Sequence, residues 1–391
     1  LPIDEVHDVL TNKGKYGLKA MVHLARLEAG RSAQSAEIAD EVLPVWRRQL
    51  ATGGFIGGPE VAAFEAEYAD YLGVPHVVGV SNGTDALELA FRASGVGPGD
   101  EVIMPANTFI ATAEAVSRIG AVPVFVDVDA DHLLIDPQCV DAAITARTRA
   151  LVPVHLFGQT APLEALVPIA DKHGLTIVED AAQAQGASGP AGRAGAIAPV
   201  SATSFYPGKN LGAAGDAGAV MTRDPEVSSL VRNLGAHGSS VKYSHDHVGM
   251  NARLDAIQAT VLRAKLRRLE GWNEARRAAA ERYRWLLGDT PGVRLPQTRP
   301  GNIDVWHLYV VQVERRDQVI TALTDAGIGT GIHYPTPVPL TKAYAPLGYR
   351  PGQFPVAERA AARILSLPMF PHLSAEQQER TAEARAAAVS T

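Results

Sequence analysis

"ALVPVHLFGQTAPLEALVPIADKHGLTIVEDAAQA", residues 150–184, reads as a strand, a helix and a second strand. The two apolar runs, 150–158 and 175–180, lack the in–out alternation of a half-solvated strand, so both faces are expected to be buried. The amphipathic "PLEALVPIADKHG" between them is long enough to carry the chain back for a parallel pairing. The same unit recurs upstream. "HVVGV" (76–80) leads to "TDALELAFRAS", "DEVIMPA" (100–106) leads to "IATAEAVSRIG", and "VPVFVDV" (122–128) follows. This order predicts an α/β fold, a mostly parallel sheet with helices on both faces. In such sheets the ligand lies beyond the carboxyl ends of the strands. The residues between strand and helix should therefore carry the chemistry.

Composition sets the bounds. The chain has 391 residues, 46% hydrophobic and 20% charged, with a net charge of −6. That allows two or three packed units and gives no general attraction to nucleic acid or to an anionic membrane. A single cysteine, Cys139, excludes an internal disulfide framework and a cysteine zinc cluster, so a reducing cytoplasm is expected. No run approaches the roughly 18 apolar residues of a membrane span, and no signal peptide is visible. The chain opens on Leu1 rather than Met, so its natural start is expected to be missing or renumbered. A long charged helix is expected from about Leu254 through "LRRLEGWNEARRAAAERYRWLL". After "DTPGV" the texture changes. "VWHLYVVQV" (305–313) alternates like a strand, and "RDQVITALTDAG" and "IGTGIHYP" follow, which predicts a smaller α+β C-terminal domain.

Three constellations fall at strand ends. In "GVSNGTDALELA", free N–H groups at Gly83 and Thr84 backed by a helix dipole suit a phosphate dianion. A plain Asn-Gly turn with a Thr cap accounts for the same letters. In "TIVEDAAQA", Asp180 closes an apolar strand. A carboxylate there needs a cationic partner such as a protonated pyridine nitrogen, or else it caps a helix. In "SFYPGKNLGAAGDAGAV" (204–220) one lysine stands between aromatic residues and glycines. It is not a phosphate loop, because Asn210 and Thr203 occupy the places where that motif needs Ser or Thr and Gly. A lysine in apolar surroundings has a depressed pKa and can form a Schiff base. Phosphate cup, acid for a ring nitrogen and Schiff-base lysine are, in that order, the parts of a pyridoxal 5'-phosphate site.

With "EDAAQAQGA" (179–187) and "GMNARLDAIQATVLRAKL" (249–266), these segments closely resemble the DegT/DnrJ/EryC1/StrS family of sugar aminotransferases. The resemblance runs from about residue 44, through "GGFIGGPEVAAFEAEYADYLGVPHVVGVSNGTDAL", to the end of the chain. It implies the type I aminotransferase fold, with a mostly parallel seven-stranded sheet in a large domain (44–270) and a small C-terminal domain (271–391). It implies that Lys209 is the Schiff-base and proton-moving residue and that Asp180 protonates the cofactor ring nitrogen. Gln183 would lie near the cofactor's phenolic oxygen, Phe109 would stack on the ring, and Gly83, Thr84 and Ser204 would hold the phosphate. Asn251 would reach that phosphate from a neighbouring subunit, so a homodimer with shared active sites follows. Tyr206, His333 and Tyr334 would face the substrate.

Within the family, "SFYPGKNLG", "KYSHDHVGMNARLD" and "IHYP" look most like enzymes that aminate dTDP-linked 3-keto-6-deoxyhexoses, with L-glutamate as donor. Relatives acting on 4-keto or UDP-linked sugars share most of these residues. Keeping Lys209 counts against a dehydratase branch that has histidine there. Residues 1–43 depart from the pattern. "LTNKGKYGLKAMVHLARLEAGRSAQSAEIADE" (10–41) resembles the start of Rrf2-type winged-helix regulators. No recognition helix or wing follows before "GGFIGGPE", so an N-terminal arm is expected rather than a complete DNA-binding module. A regulator with an aminotransferase-like sensor body is the other reading, and a salt-dependent gel shift would reveal it.

Overall fold

The structure, a computed structural model, describes residues 33–241 and 243–387. Most of the segment resembling a winged-helix start lies outside the described residues. The chain runs through α1 (Ala33–Thr52), α2 (Pro59–Leu72), β1 (His76–Val80), α3 (Gly83–Ala93), β2 (Glu101–Pro105), α4 (Ile110–Arg118) and β3 (Val122–Val126). It continues through α5 (Pro137–Ala143), β4 (Thr148–Leu151), α6 (Leu163–His173), β5 (Thr176–Asp180), β6 (Val200–Ser204), β7 (Gly218–Thr222) and α7 (Pro225–Gly235).

These seven strands form one sheet in the order β1-β7-β6-β5-β4-β2-β3. Every neighbouring pair from β6 to β3 is parallel, and β7 runs antiparallel to both β6 and β1. The carboxyl ends of six strands therefore share one edge, and β7 enters from it. Alternation along the strands sorts side chains to two faces. Val78, Val80, Val102, Met104, Val178 and Val220 pack under α3, α4 and α7. Val77, Ala219 and Met221 face α2, while Ile103, Leu151 and Ile177 face α5 and α6. Helices cover both faces, as the sequence predicts.

Two expectations need correction. The run 150–158 is a strand only to Leu151. Pro153 has no N–H to extend a ladder, and the chain bends into a 3-10 turn, Leu156–Gly158. The long charged helix is two, α8 (Ala256–Leu266) and α9 (Leu269–Leu287). At the break the guanidinium groups of Arg267 and Arg268 both grip Glu41 of α1, a clamp that the helix pattern gives no hint of.

Beyond α9 come β8 (Val293–Arg294), β9 (Tyr309–Val313), α10 (Arg316–Asp325), α11 (Pro355–Arg363), β10 (Ile364–Leu367) and α12 (Ala375–Ala387). The strands β8-β9-β10 make a small antiparallel sheet. Val311, Val313, Leu365 and Leu367 pack it against Tyr283 and Leu287 of α9 and Leu323 of α10. "VWHLYVVQV" is strand only from Tyr309. Trp306 lies at φ 46°, and the stretch before it joins the two sheets through Val305 N–H to Gly158 O and Leu308 N–H to Phe157 O.

Candidate active site

At the end of β5, Glu179 and Asp180 point to opposite sides, and the structure gives them different work. Glu179 is fully buried among donors: His155 Nε2 at 2.8 Å, Ser201 Oγ at 2.9 Å, and the N–H groups of Gly195, Ile197 and Ala198. Burial acts to raise its pKa, but the His155 bond and these amides outweigh that and hold it below the usual carboxylate range. Ala161 N–H donates to His155 Nδ1, so the Nε2 atom carries the proton toward Glu179. This pair anchors the strand end. Asp180, 5% exposed, faces the edge. Its Oδ1 accepts from Ala182 N–H at 3.1 Å and its Oδ2 from Thr112 Oγ1 at 2.8 Å. No cation pairs with it among the described residues within 4.0 Å. A buried carboxylate in that state suits a protonated ring nitrogen.

Lys209 rides the loop after β6. Burial pushes its ammonium down to about 8, against the opposing charge of Asp180. The glycines around it have a geometric reason. A side chain at Gly212 would place Cβ 2.5 Å from Pro207 O, so the loop folds on itself only with glycine there. From behind, Lys265 Nζ donates to Gly212 O at 2.7 Å and Gln258 Oε1 accepts from Ala214 N–H at 2.9 Å. Lys265 is itself pushed down to about 8 by burial. A depressed lysine is therefore not unique to position 209. Lys209 differs in lying within electrostatic reach of Asp180.

The segment expected to hold a phosphate forms the N-terminus of α3. Asn82 caps it, its Oδ1 accepting from Asp85 N–H at 2.8 Å. Gly83 and Thr84 stand in the first turn, where backbone N–H groups have no intrahelical acceptor. A Cβ on Gly83 would fall 2.6 Å from Ser204 Cβ and 3.2 Å from its Oγ, so the glycine admits the Ser204 hydroxyl to the same spot. Asp85 would repel a phosphate were it free. It is instead held by Ser81 Oγ, Asn82 Nδ2 and Arg118 NH1.

Above the sheet edge, Phe109 is 51% exposed with its ring centroid 5.5 Å from that of Tyr334. Gln183 binds Phe157 N–H through Oε1 and the Tyr334 hydroxyl through Nε2 at 3.1 Å. Burial and the Asp180 charge raise the Tyr334 phenol to about 12 against the Gln183 bond. His333 Nδ1 meets Ser366 Oγ at 2.8 Å, and burial, then the Lys209 charge, lower its pKa. Tyr206 is exposed beside Lys209. Asn251 stands apart. It is exposed, bridges Ala236 through its backbone, and accepts from Arg253 through Oδ1 at 3.1 and 3.2 Å.

Sequence reading missed Thr108 and Thr112. Thr112, fully buried on α4, gives its single proton to Asp180, so the 2.8 Å contact with Thr108 Oγ1 has Thr108 as donor. Two threonines in "PANTFIAT" are a four-residue helical spacing and nothing more until β5 is placed beneath them. Thr112→Val keeps the shape and removes the donor. It is expected to cost about 1.5–3 kcal/mol of stability, the worth of a hydrogen bond to a charged group, measured by urea denaturation. A loss under about 0.5 kcal/mol, the level of an inconsequential surface change, would mean that Asp180 finds another donor.

The model of the DegT/DnrJ/EryC1/StrS aminotransferase family matches residues 36–385. The chain is 53% identical to the erythromycin biosynthesis sensory transduction protein EryC1 of Saccharopolyspora erythraea, over 87% of this chain and 93% of that one. It is 51% identical to a dTDP-3-amino-3,4,6-trideoxy-alpha-D-glucose transaminase of Streptomyces venezuelae, over 86% of this chain and 89% of that one. The crystal structure of S. venezuelae DesV superposes with a TM-score of 0.86 at 48% identity, covering 93% of this chain and 95% of that one.

Proposed function

The chain belongs to the DegT/DnrJ/EryC1/StrS aminotransferase family, and from that premise we propose that it moves an amino group from L-glutamate to a nucleotide-linked keto-deoxysugar. The favoured acceptor is a dTDP-3-keto-6-deoxyhexose. The observation that carries the reading is an amine that burial pushes down to about 8, in the field of the buried Asp180 carboxylate, which among the described residues has no ion pair within 4.0 Å. Pyridoxal 5'-phosphate, when bound, supplies an aldehyde and an electron sink.

The chain's own residues do the rest. Asp180 holds a proton on the ring nitrogen, its carboxylate fixed by Thr112 and Ala182. Gly83, Thr84 and Ser204 take the phosphate. Phe109 would cover the cofactor ring, and Gln183, held by the Tyr334 hydroxyl, would stand by its phenolic oxygen. Lys209 Nζ, with its lowered basicity, is free to accept and return the proton of the reacting carbon near neutral pH. Tyr206, His333 and Tyr334 line the approach of the sugar. On this reading the cofactor-binding domain runs over 44–270 and the small domain begins at residue 271, in a cytoplasmic protein. Among the described residues no helix is long and apolar enough to cross a membrane. The test offers the protein L-glutamate and a panel of dTDP- and UDP-linked 3-keto and 4-keto sugars. Amination of the dTDP-3-keto sugar is expected. Turnover confined to 4-keto or UDP-linked acceptors would move the assignment to that branch.

The active protein is a homodimer in which Asn251 serves the neighbouring site. Support comes from its exposure next to Arg253, on a segment whose Val241 and Val248 are 67% and 88% exposed, apolar surface that a second copy would bury. Losing a hydrogen bond to the phosphate is worth about 1.5–3 kcal/mol. Asn251→Ala is thus expected to loosen the cofactor by roughly one to two orders of magnitude. Mixed with Lys209→Ala chains, it should regain one intact site per heterodimer. Cofactor affinity that merely averages the two parents would place Asn251 in its own chain's site.

A further inference from the structure

Next to the lysine loop, three buried amides, Gln185, Asn210 and Asn273, are joined in one run of hydrogen bonds. The reaction described above uses none of them. Asn273 Nδ2 donates to Gln185 O at 2.9 Å, and a backbone carbonyl can only accept, so Asn273 Oδ1 faces Asn210. Asn210 Nδ2 donates to that oxygen and to Val305 O, both at 2.9 Å. Asn210 Oδ1 is left as an acceptor, and His307 Nδ1 donates to it at 3.1 Å. The two asparagines therefore have one permitted orientation, with a proton on His307 Nδ1.

The anchor is itself held. Arg276, one turn along α9 from Asn273, donates from NH1 to Trp306 O at 3.0 Å and to Met369 O at 3.1 Å. Val305 N–H donates to Gly158 O. The segment that Asn210 grips is thus fixed from its own side. The turn after β5 admits Asn273 only because it carries a glycine. A Cβ on Gly186 would fall 2.5 Å from Asn273 Nδ2, and Gly186 lies at φ 96°. Gln185 ties that turn to the end of β6, donating from Nε2 to Thr203 Oγ1 at 3.0 Å and to Ser204 O at 2.7 Å. Across Lys209 the chain passes from the exposed Tyr206, Pro207 and Gly208 to the buried Asn210.

We infer that Asn210 is a positioning residue for Lys209, with Asn273 as its anchor. Lys209 is joined directly to a residue whose side chain is bonded to Asn273, Val305 and His307. The backbone of Lys209 therefore cannot swing with the exposed half of the loop. An amine placed in advance forms a covalent link with little further loss of freedom. Slack in that amine weakens the link and leaves the non-covalent contacts of the ligand as they were. The inference rests on the reading of Lys209 as the amine that links to the cofactor.

The test compares two ligands on the full chain stripped of cofactor. Pyridoxal 5'-phosphate has an aldehyde that can link to a lysine; pyridoxamine 5'-phosphate has none. The wild type is expected to bind the aldehyde form more tightly. Asn210→Ala should cut that preference about tenfold, since small displacements of a reacting group are costly. Asn273→Leu, of similar size, should reproduce the fall from the anchor side. The double variant should fall no further than the larger single effect, because both changes remove the same hold. Asn210→Ser, too short to reach both Asn273 and Val305, takes the place of Asn210→Ala if that variant does not fold. A preference that the Asn210 variant keeps overturns the inference, and so do fully additive losses in the double variant. If the wild type itself shows no preference, the reading of Lys209 fails, and the inference falls with it. The two failures are therefore told apart by the wild type alone.

Discussion

Lys209→Ala is expected to abolish amino transfer, by about 10⁴-fold or more, because on the proposed assignment one side chain both binds the cofactor covalently and moves the proton. The purified wild-type protein should be yellow and the variant should lose that band. Borohydride reduction followed by peptide mapping supplies the direct check. The pyridoxyl group should lie on the peptide of Lys209. The structure sharpens the test, because Lys265 is pushed down to the same value, about 8. Basicity alone therefore does not choose between them. Lys265 is bound to Gly212 O on the far side of the loop, whereas Lys209 lies in the field of Asp180. A label on Lys265, or on any other lysine, overturns the assignment. The pH dependence should follow the same group. Cofactor capture by the stripped protein should rise through about pH 8, as the amine loses its proton, well below the range of an ordinary lysine.

Asp180→Asn should keep the fold and lower turnover by roughly three orders of magnitude or more, since a neutral amide cannot hold a pyridinium proton. The fold should survive because Oδ1 of asparagine still accepts a bond from Ala182 N–H or Thr112 Oγ1, and Glu179 keeps the strand end anchored. Single-turnover kinetics with glutamate, with thermal unfolding alongside, would measure both. Near-normal turnover would return Asp180 to the role of a local cap on the turn after β5, consistent with its bond to Ala182. Lost turnover together with a collapsed fold would leave the chemical role to be settled by Asp180→Glu, which keeps the charge and should recover part of the rate.

Much of this architecture was written locally. The apolar runs, the helical spacing between them and the caps at Asn82, Asp136 and Asp224 are signals carried by a few adjacent residues. Such signals survive without any knowledge of what lies opposite. They were enough to put Gly83, Asp180 and Lys209 at strand ends, and hence on one edge of a parallel sheet. They failed where one pattern served two purposes. Residues 305–308 alternate like a strand, but their polar groups are taken by Gly158, Phe157, Asn210 and Arg276, so the strand starts later. In 150–158 the apolar content marks a buried segment, but Pro153 has no N–H to extend the ladder and the strand ends at Leu151.

By itself, then, the sequence determined which elements form and which edge bears the reactive residues, because periodicity and capping are short-range. Tertiary structure alone decided how those residues are tuned. Thr112 meets Asp180 across 68 positions, His155 meets Glu179 across 24, and His307 meets Asn210 across 97. No spacing rule links such pairs. The direction of each hydrogen bond, and with it the proton's place on the His155 and His307 imidazoles, follows only once burial has removed water as an alternative partner and set the bonded ring nitrogens against one protein group each.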